Sequence, residues 1–125
     1  MTREKFDNAV INASISKSDD DYTNIFKDAK NFEVLFNLKV NSKTNEKSVP
    51  VVSVGDGLKA IVFHTSPENK DLEKPFGGMP LDKALEMASR MNNIEGVVIQ
   101  SSQKYWIAIT ITKVQEILLN LKVVD

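Results

Sequence analysis

The chain has 125 residues and no cysteine; 42% of its residues are hydrophobic, 26% are charged, and its net charge is −1. This length suits one domain with a single hydrophobic core, and the near-neutral charge excludes a global field that would attract nucleic acid or an anionic membrane. The lack of cysteine excludes disulfides, thiolate nucleophiles and cysteine-based zinc sites, and it is compatible with a reducing cytoplasm.

The first thirty residues predict two helices. Hydrophobic residues recur at helical spacing over 3–15 and again over 22–29. Asp19, Asp20 and Asp21 precede the second stretch, where their charge favours the positive N-terminal end of a helix. The N-terminal stretch has no apolar core followed by a small-residue cleavage site, and no segment reaches the ~20 apolar residues of a membrane-spanning helix. We therefore expect a cytoplasmic protein without a secretory signal.

The middle of the chain predicts three strands. Hydrophobic residues alternate over 32–40, and after a polar turn "SVPVVSV" resumes, with Pro50 favouring an edge strand or a strand start. We expect the edge strand at 49–54 to be able to pair with another chain. "GDG" at 55–57 predicts a hairpin turn into "LKAIVFHT", which is apolar enough to be a central strand.

The second half predicts a loop over 66–79, a helix from Pro80 to about Asn92, two strands in "GVVIQ" and "YWIAIT", and a last helix whose Thr112 and Gln115 have capping-box spacing. The element order is ααβββαββα. It predicts one α+β domain over 1–125, in which helices at about 3–30 precede a core of 32–122.

We expect a mixed, mainly antiparallel sheet of five strands packed by helices. Because three of the four predicted helices are amphipathic, we also expect that neither face of this sheet is wholly free.

Gly77-Gly78 before a helix raises the question of a phosphate-binding loop. Such a loop needs G-x-x-x-x-G-K-[ST], whose lysine and hydroxyl hold the phosphates, but here Met79 and Pro80 follow the glycines. Pro80 removes an N–H donor, and Asp82 in the first helical turn would repel an anion. The glycine pair is therefore interpreted as a turn that leads into the helix.

His64 is the only histidine and ends a predicted strand, where it can face a cleft. A lone histidine without cysteine makes a poor zinc site, and no serine lies in a G-x-S-x-G turn. We interpret His64 as a packed or solvent-facing strand residue, and we leave open an enzyme that uses it with Glu68 or Asp71. The sequence predicts no catalytic residue, no metal site and no cofactor.

The three aspartates at 19–21 also raise the question of a calcium loop. An EF-hand loop that starts at Asp19 would need glycine and glutamate where Asn24 and Lys30 stand, so this interpretation fails. The aspartates are either a solvated cap on the second helix or an acidic patch for a basic partner.

Tyr105 and Trp106 fall on opposite faces of a predicted strand. Either could anchor a partner, because tyrosine and tryptophan are enriched at interface hot spots, although we expect at least one of them in the core. No aromatic cluster is interleaved with lysine or arginine, so binding of single-stranded nucleic acid is unsupported.

Two stretches, "VPVVSVGDGLKAIVFHTSPE" and "PFGGMPLDKALEMASRMNNIEGVVIQSSQKYWIAITITKVQEIL", resemble the N-terminal domain of the SseB family over about residues 32–119. The family typically has a V-P-V strand, a glycine turn, a helix opened by a proline-leucine pair and a G-[LV]-V-I strand. The resemblance implies a non-enzymatic protein-binding module. Directly after the phenylalanine at the end of the strand, where the family often has threonine or serine, this chain has His64. Longer members of the family have a second domain, which we do not expect after Asp125.

Domains of this kind that stand alone in bacteria resemble immunity proteins that neutralise toxins. We therefore expect a cytoplasmic bacterial immunity protein that binds a cognate toxin, with no nucleic-acid or membrane partner; the oligomeric state is left open. The alternatives are a housekeeping adaptor of the serine-sensitivity type and an enzyme using His64. In the 66–79 loop, Phe76 would be either an aromatic anchor or a core cap. The predicted partner-binding residues are Asp19, Asp20, Asp21, Glu68, Asp71, Glu73 and Phe76.

Overall fold

The computed structural model describes residues 2–55 and 57–124, without the side chains of Asp19 and residues 121–124. Hydroxyl oxygens cap the first two helices: Thr2 accepts a hydrogen bond from the Lys5 N–H, and Ser18 accepts one from the Asp21 N–H. The described residues form four helices, which are α1 (Arg3–Ser16), α2 (Asp19–Asp28), α3 (Leu81–Ser89) and α4 (Ile111–Val124). None of the described helices is long and apolar enough to cross a membrane.

Six of the described strands form one mixed sheet, and two form a separate ribbon. The strands are β1 (Glu33–Asn37), β2 (Lys39–Val40), β3 (Lys47–Ser48), β4 (Val52–Val54), β5 (Leu58–His64), β6 (Phe76–Pro80), β7 (Gly96–Gln100) and β8 (Trp106–Thr110). The sheet order is β6-β1-β5-β7-β8, β4 pairs with β5, and β2 pairs with β3. The predicted α+β fold is confirmed, with a different strand count and order.

β5 is the central strand, as its apolar sequence predicts. On one side it runs parallel to β7, and the connection between them carries β6 and α3. On the other side it is shared: β4 pairs with its first half as a hairpin, and Leu35 of β1 pairs with His64 at its end. Every other pairing in the sheet is antiparallel. The C-terminal ends of β5 and β7 therefore lie side by side.

The predicted loop over 66–79 is wrong at its end, because residues 76–80 form the edge strand β6. This strand pairs with the whole of β1, from Glu33 opposite Pro80 to Asn37 opposite Phe76. Pairing with a neighbour distant in sequence overrides the local preference of Gly-Gly and Pro for turns. Pro80 consequently ends β6 and caps α3, which begins one residue later than predicted.

The expected cover of both sheet faces by helices is wrong, because the described helices pack on one face; the other face is still not wholly free, since several residues on it are buried. The buried helix side chains form one cluster with Ile61, Phe63, Val97 and Ile99, so they pack on the face to which these residues point. Leu35, Ala60 and Val98 alternate with them and lie outside this cluster, although they are buried. The described helices pack on a single face of the sheet and also on one another, α1 against α2 and α3 against α4. We call the opposite face the open face.

Candidate functional site

A cavity of about 420 Å³ lies on the open face. Its lining combines apolar walls with a polar end, and it draws on five strands of the sheet and on the segments before β4 and after β5. The described lining residues are Asn37, Val49, Pro50, Val52, Val54, Gly55, Val62, His64, Asp71, Val98, Gln100 and Trp106. The volume is within the ~300–1,000 Å³ of typical ligand pockets.

Strand register brings the cavity floor together. His64 pairs with Gln100, and Gln100 pairs with Trp106, so these three residues form one row across β5, β7 and β8. Val62 and Val98 form the next row by the same register. Because side chains alternate along a strand, both rows point to the face opposite Ile61 and the core. We call His64, Gln100 and Trp106 the polar row.

The segment after β5 folds back onto the polar row through Asn69. The Asn69 side-chain nitrogen donates to the Gln100 carbonyl oxygen at 2.9 Å and lies 3.2 Å from His64 Nδ1. The Thr65 N–H donates to the same carbonyl at 3.1 Å. Asn69 is only 4% exposed, and its Oδ1 has no hydrogen-bond partner among the described residues. Asn69 thus fixes the start of the 65–75 segment.

These contacts set the tautomer of His64. A carbonyl can only accept, so the atom of Asn69 facing Gln100 is the amide nitrogen, which therefore donates to Nδ1 as well. Nδ1 then carries no proton, and Nε2–H is the donor of a neutral imidazole. Burial lowers the pKa of His64, and the charge of Asp71 opposes this by raising it. The neutral form prevails in the folded protein at neutral pH.

Asn37 positions Asp71 at the polar end of the cavity. The Asn37 amide donates to the Asp71 carbonyl oxygen at 2.9 Å and accepts from the Glu73 N–H at 2.7 Å. The Asp71 side chain is exposed and takes part in no hydrogen bond or ion pair among the described residues. It is also the only formally charged group among the described lining residues, since His64 is neutral.

Exposed apolar side chains border the cavity. Trp106 on the edge strand β8 is 42% exposed, and Val52 on β4 is 38% exposed. Tyr105 is half-buried, with the Lys104 ammonium 5.6 Å from its ring centre. The expectation that Tyr105 or Trp106 lies in the core is wrong, because neither residue is buried. β8 is an edge strand, and Trp106 borders both the cavity and a hollow at the sheet edge that Ser14 of α1 and Tyr22 of α2 also line.

The structure separates the predicted partner-binding residues. Asp71 lines the cavity with His64, while Glu68 and Glu73 are exposed on the same segment outside the lining. Phe76 is half-buried at the start of β6 and belongs neither to the cavity lining nor to the core cluster.

The predicted acidic patch lies on the helix layer, at the first turn of α2. Asp20 is exposed, Asp21 accepts a hydrogen bond from the Ser16 hydroxyl, and the side chain of Asp19 lies outside the described residues. These aspartates and Asp71 belong to opposite sides of the sheet and do not form one surface.

Sequence reasoning missed Asn37, Gln100 and the valines as site residues. The alternation of side chains in "GVVIQ" and "YWIAIT" shows which residues share a face with Gln100 or Trp106 within the same strand. Only the register of β5, β7 and β8, which no local pattern contains, shows that they adjoin His64.

The described lining of the cavity combines polar, charged and apolar groups. Its described lining contains no serine, threonine, cysteine or lysine that could serve as a nucleophile. Among the described residues, no group of three or more histidine, cysteine or acidic side chains is placed to hold a metal ion. Its described lining brings the Asp71 carboxylate, the Trp106 indole and the largely buried His64 ring together with apolar walls.

Comparison of the chain with models of protein families, with curated proteins and with solved structures finds no match. The resemblance to the SseB family therefore stays a prediction.

Proposed function

We propose that this protein is a non-catalytic protein-binding module whose partner docks on the open face of the sheet. The observation that carries this proposal is the exposure of Trp106 and Val52 around a cavity on a face that no described helix covers. Contiguous exposed apolar surface commonly marks an interaction site, and tryptophan is enriched among the residues that dominate binding energy.

The partner that we propose is a toxin, which a cytoplasmic bacterial immunity protein neutralises by direct binding. The support for this step is the resemblance to small stand-alone domains of the SseB type, and it is independent of the cavity. A housekeeping adaptor is the alternative, with the same open face as its docking surface. The two differ in the partner, so the partner's identity decides between them.

Co-expression tests this function. The tagged protein is expressed with a toxin encoded beside its gene, and we expect restored growth and co-purification of the toxin. Trp106→Ala combined with Val52→Glu should abolish both, because these changes remove an anchor and place a charge in the interface. Ile15→Glu is the matched control, since Ile15 is 63% exposed on α1 in the helix layer, and it should retain both.

Three outcomes would contradict parts of this proposal. Equal rescue by the wild type and by the protein with both Trp106→Ala and Val52→Glu, which we call the open-face variant, would show that the partner docks elsewhere. Failure of the wild type to bind the toxin would overturn the immunity role. Capture of abundant cytoplasmic proteins in its place, identified by mass spectrometry and lost in the open-face variant, would establish the adaptor.

An enzyme is the second candidate, because His64 and Asp71 line the same cavity. A general base must offer an unprotonated nitrogen to the substrate. Here Nδ1 is engaged by Asn69, and the remaining Nε2 carries the proton. The geometry therefore favours His64 as a hydrogen-bond donor. Loss of function in His64→Ala with the fold intact, together with turnover of a substrate by the wild type, would reverse this preference.

A further inference from the structure

We infer that the cavity on the open face binds the side chain of an arginine that the partner protein presents. This inference rests on the proposed docking of a partner on the open face and names the chemistry of that contact. The arginine stem would lie against the valine walls, and its guanidinium would meet the Asp71 carboxylate and the Trp106 indole.

The charge of the cavity favours a cation. Asp71 is the only formally charged residue among the described residues of the lining, and His64 is neutral because Nδ1 accepts from Asn69. Lys70 and Lys104 border an adjacent hollow that Asp71 also lines, but no ion pair of the described residues includes Asp71. An exposed carboxylate at the polar end of an apolar pocket is thus left available to a ligand.

The shape and composition of the walls favour arginine among cations. Its planar guanidinium pairs with a carboxylate through two parallel hydrogen bonds and also stacks on aromatic rings. Trp106 supplies the best aromatic face for a cation, and it lines the same cavity as Asp71. The aliphatic stem is accommodated by Val52, Val62 and Val98, since long cationic side chains bury their stems along apolar surface.

A capped amino acid tests this inference without knowledge of the partner. The probes are N-acetyl-arginine N-methylamide and the corresponding citrulline derivative, which has nearly the same shape but no charge. Trp106 is the only tryptophan of the chain, so its fluorescence reports on the cavity directly. We expect saturable binding of the arginine probe and binding of the citrulline probe that is weaker by about tenfold.

Variants locate the contact. Asp71→Asn should weaken binding of the arginine probe by about tenfold and remove the preference over citrulline. Glu73→Gln removes an exposed carboxylate two residues away, outside the lining, and should leave the affinity unchanged. Equal losses in the two variants would show a diffuse charge effect and overturn the inference, as would equal binding of both probes. Tighter binding of free arginine than of the capped probe would show that the cavity binds the free amino acid, and it would overturn the inference that the arginine belongs to a partner protein.

The outcome is distinguishable from failure of the proposed function. If the arginine probe does not bind while Trp106→Ala with Val52→Glu still abolishes partner capture, the inference is wrong and the open face stands as the docking surface. If the probe binds through Asp71 while the open-face variant still captures the partner, the cavity binds arginine but the open face is not the docking surface.

Discussion

His64 shows how a buried histidine acquires a defined tautomer. Its Nδ1 is engaged by the Asn69 amide, which the Gln100 carbonyl holds in one orientation. Protonation of Nδ1 would place two donors against each other in a buried setting. Burial and this contact both disfavour the imidazolium ion, whereas the Asp71 charge favours it. The sequence indicates a lone histidine at a strand end, but its tautomer depends on an amide five residues along the chain.

The lowered pKa of His64 predicts a pH dependence of stability. Above its ordinary pKa of 6.5, the imidazole is neutral in both folded and unfolded chains and contributes no slope. Below this value the unfolded chain binds a proton that the folded chain resists, so the free energy of unfolding falls as the pH decreases, by at most ~1.4 kcal/mol per pH unit. His64→Gln should remove this part of the slope, as measured by urea denaturation at several pH values between neutral and mildly acidic.

The opposing effect of Asp71 provides a control. In Asp71→Asn the charge that raises the pKa of His64 is gone, so the pKa should fall further below its ordinary value. The chain has one histidine, and its imidazole signal can be followed by NMR without ambiguity. An unchanged titration in Asp71→Asn, or the same pH slope in His64→Gln as in the wild type, would show that His64 is not held neutral in the way described.

Most helices and strands could be predicted from local sequence pattern, because the spacing of their hydrophobic residues and their capping residues indicate them. α1, α2, β5, β7 and β8 lie close to where the spacing of hydrophobic residues puts them. β6 could not, because "FGGMP" has no alternation and its glycines and proline favour turns; only pairing with β1 makes it a strand. The start of α4 was also displaced, since Thr110 rather than Thr112 accepts the capping hydrogen bond from the Lys113 N–H.

Gly96 gives a prediction about the sheet itself. A Cβ at this residue would lie 2.6 Å from the Ile109 carbonyl oxygen of β8, so an added methyl group must displace backbone that pairs with β7. Gly96→Ala should lower the free energy of unfolding by about 1–3 kcal/mol, as measured by urea denaturation. The cost arises because neither strand can move without loss of the hydrogen bonds between them.

Gly78→Ala is the matched control for Gly96→Ala. A Cβ at Gly78 would approach only the end of the Glu33 side chain, at 2.8 Å, and this flexible group can move away. Its ion pair with Arg3 is exposed, so little stability is lost with it. We expect a change within about 0.5 kcal/mol. Equal costs for the two substitutions would mean that β7 and β8 are less closely apposed than the structure shows.

On the scale of the whole molecule, one face of the sheet carries the fold and the other carries the candidate site. Alternation in the sequence shows which residues share a face, but it does not show whether helices cover that face. The sequence predicts that amphipathic helices cover both faces, but the described helices pack on one face, with α1 against α2 and α3 against α4. The cavity therefore could not be predicted, since it depends on where the helices do not lie.

Two adjacent valines of β7 test this division. Val97 is fully buried in the core cluster beneath the helices, whereas Val98 is 3% exposed and lines the cavity. The same substitution should therefore have unequal costs. Val97→Ala removes contacts on all sides and leaves a closed void, and we expect it to lower the free energy of unfolding by about 2–3 kcal/mol.

Val98→Ala should cost about half as much, because one side of Val98 lines the cavity and makes fewer packing contacts with the protein there. It should in turn weaken binding of the arginine probe, which Val97→Ala should leave unchanged as long as the protein is folded. Urea denaturation and the Trp106 fluorescence titration measure the two quantities on the same samples. If both valines cost the same in stability and neither affects the probe, the open face is packed as fully as the core and offers no site.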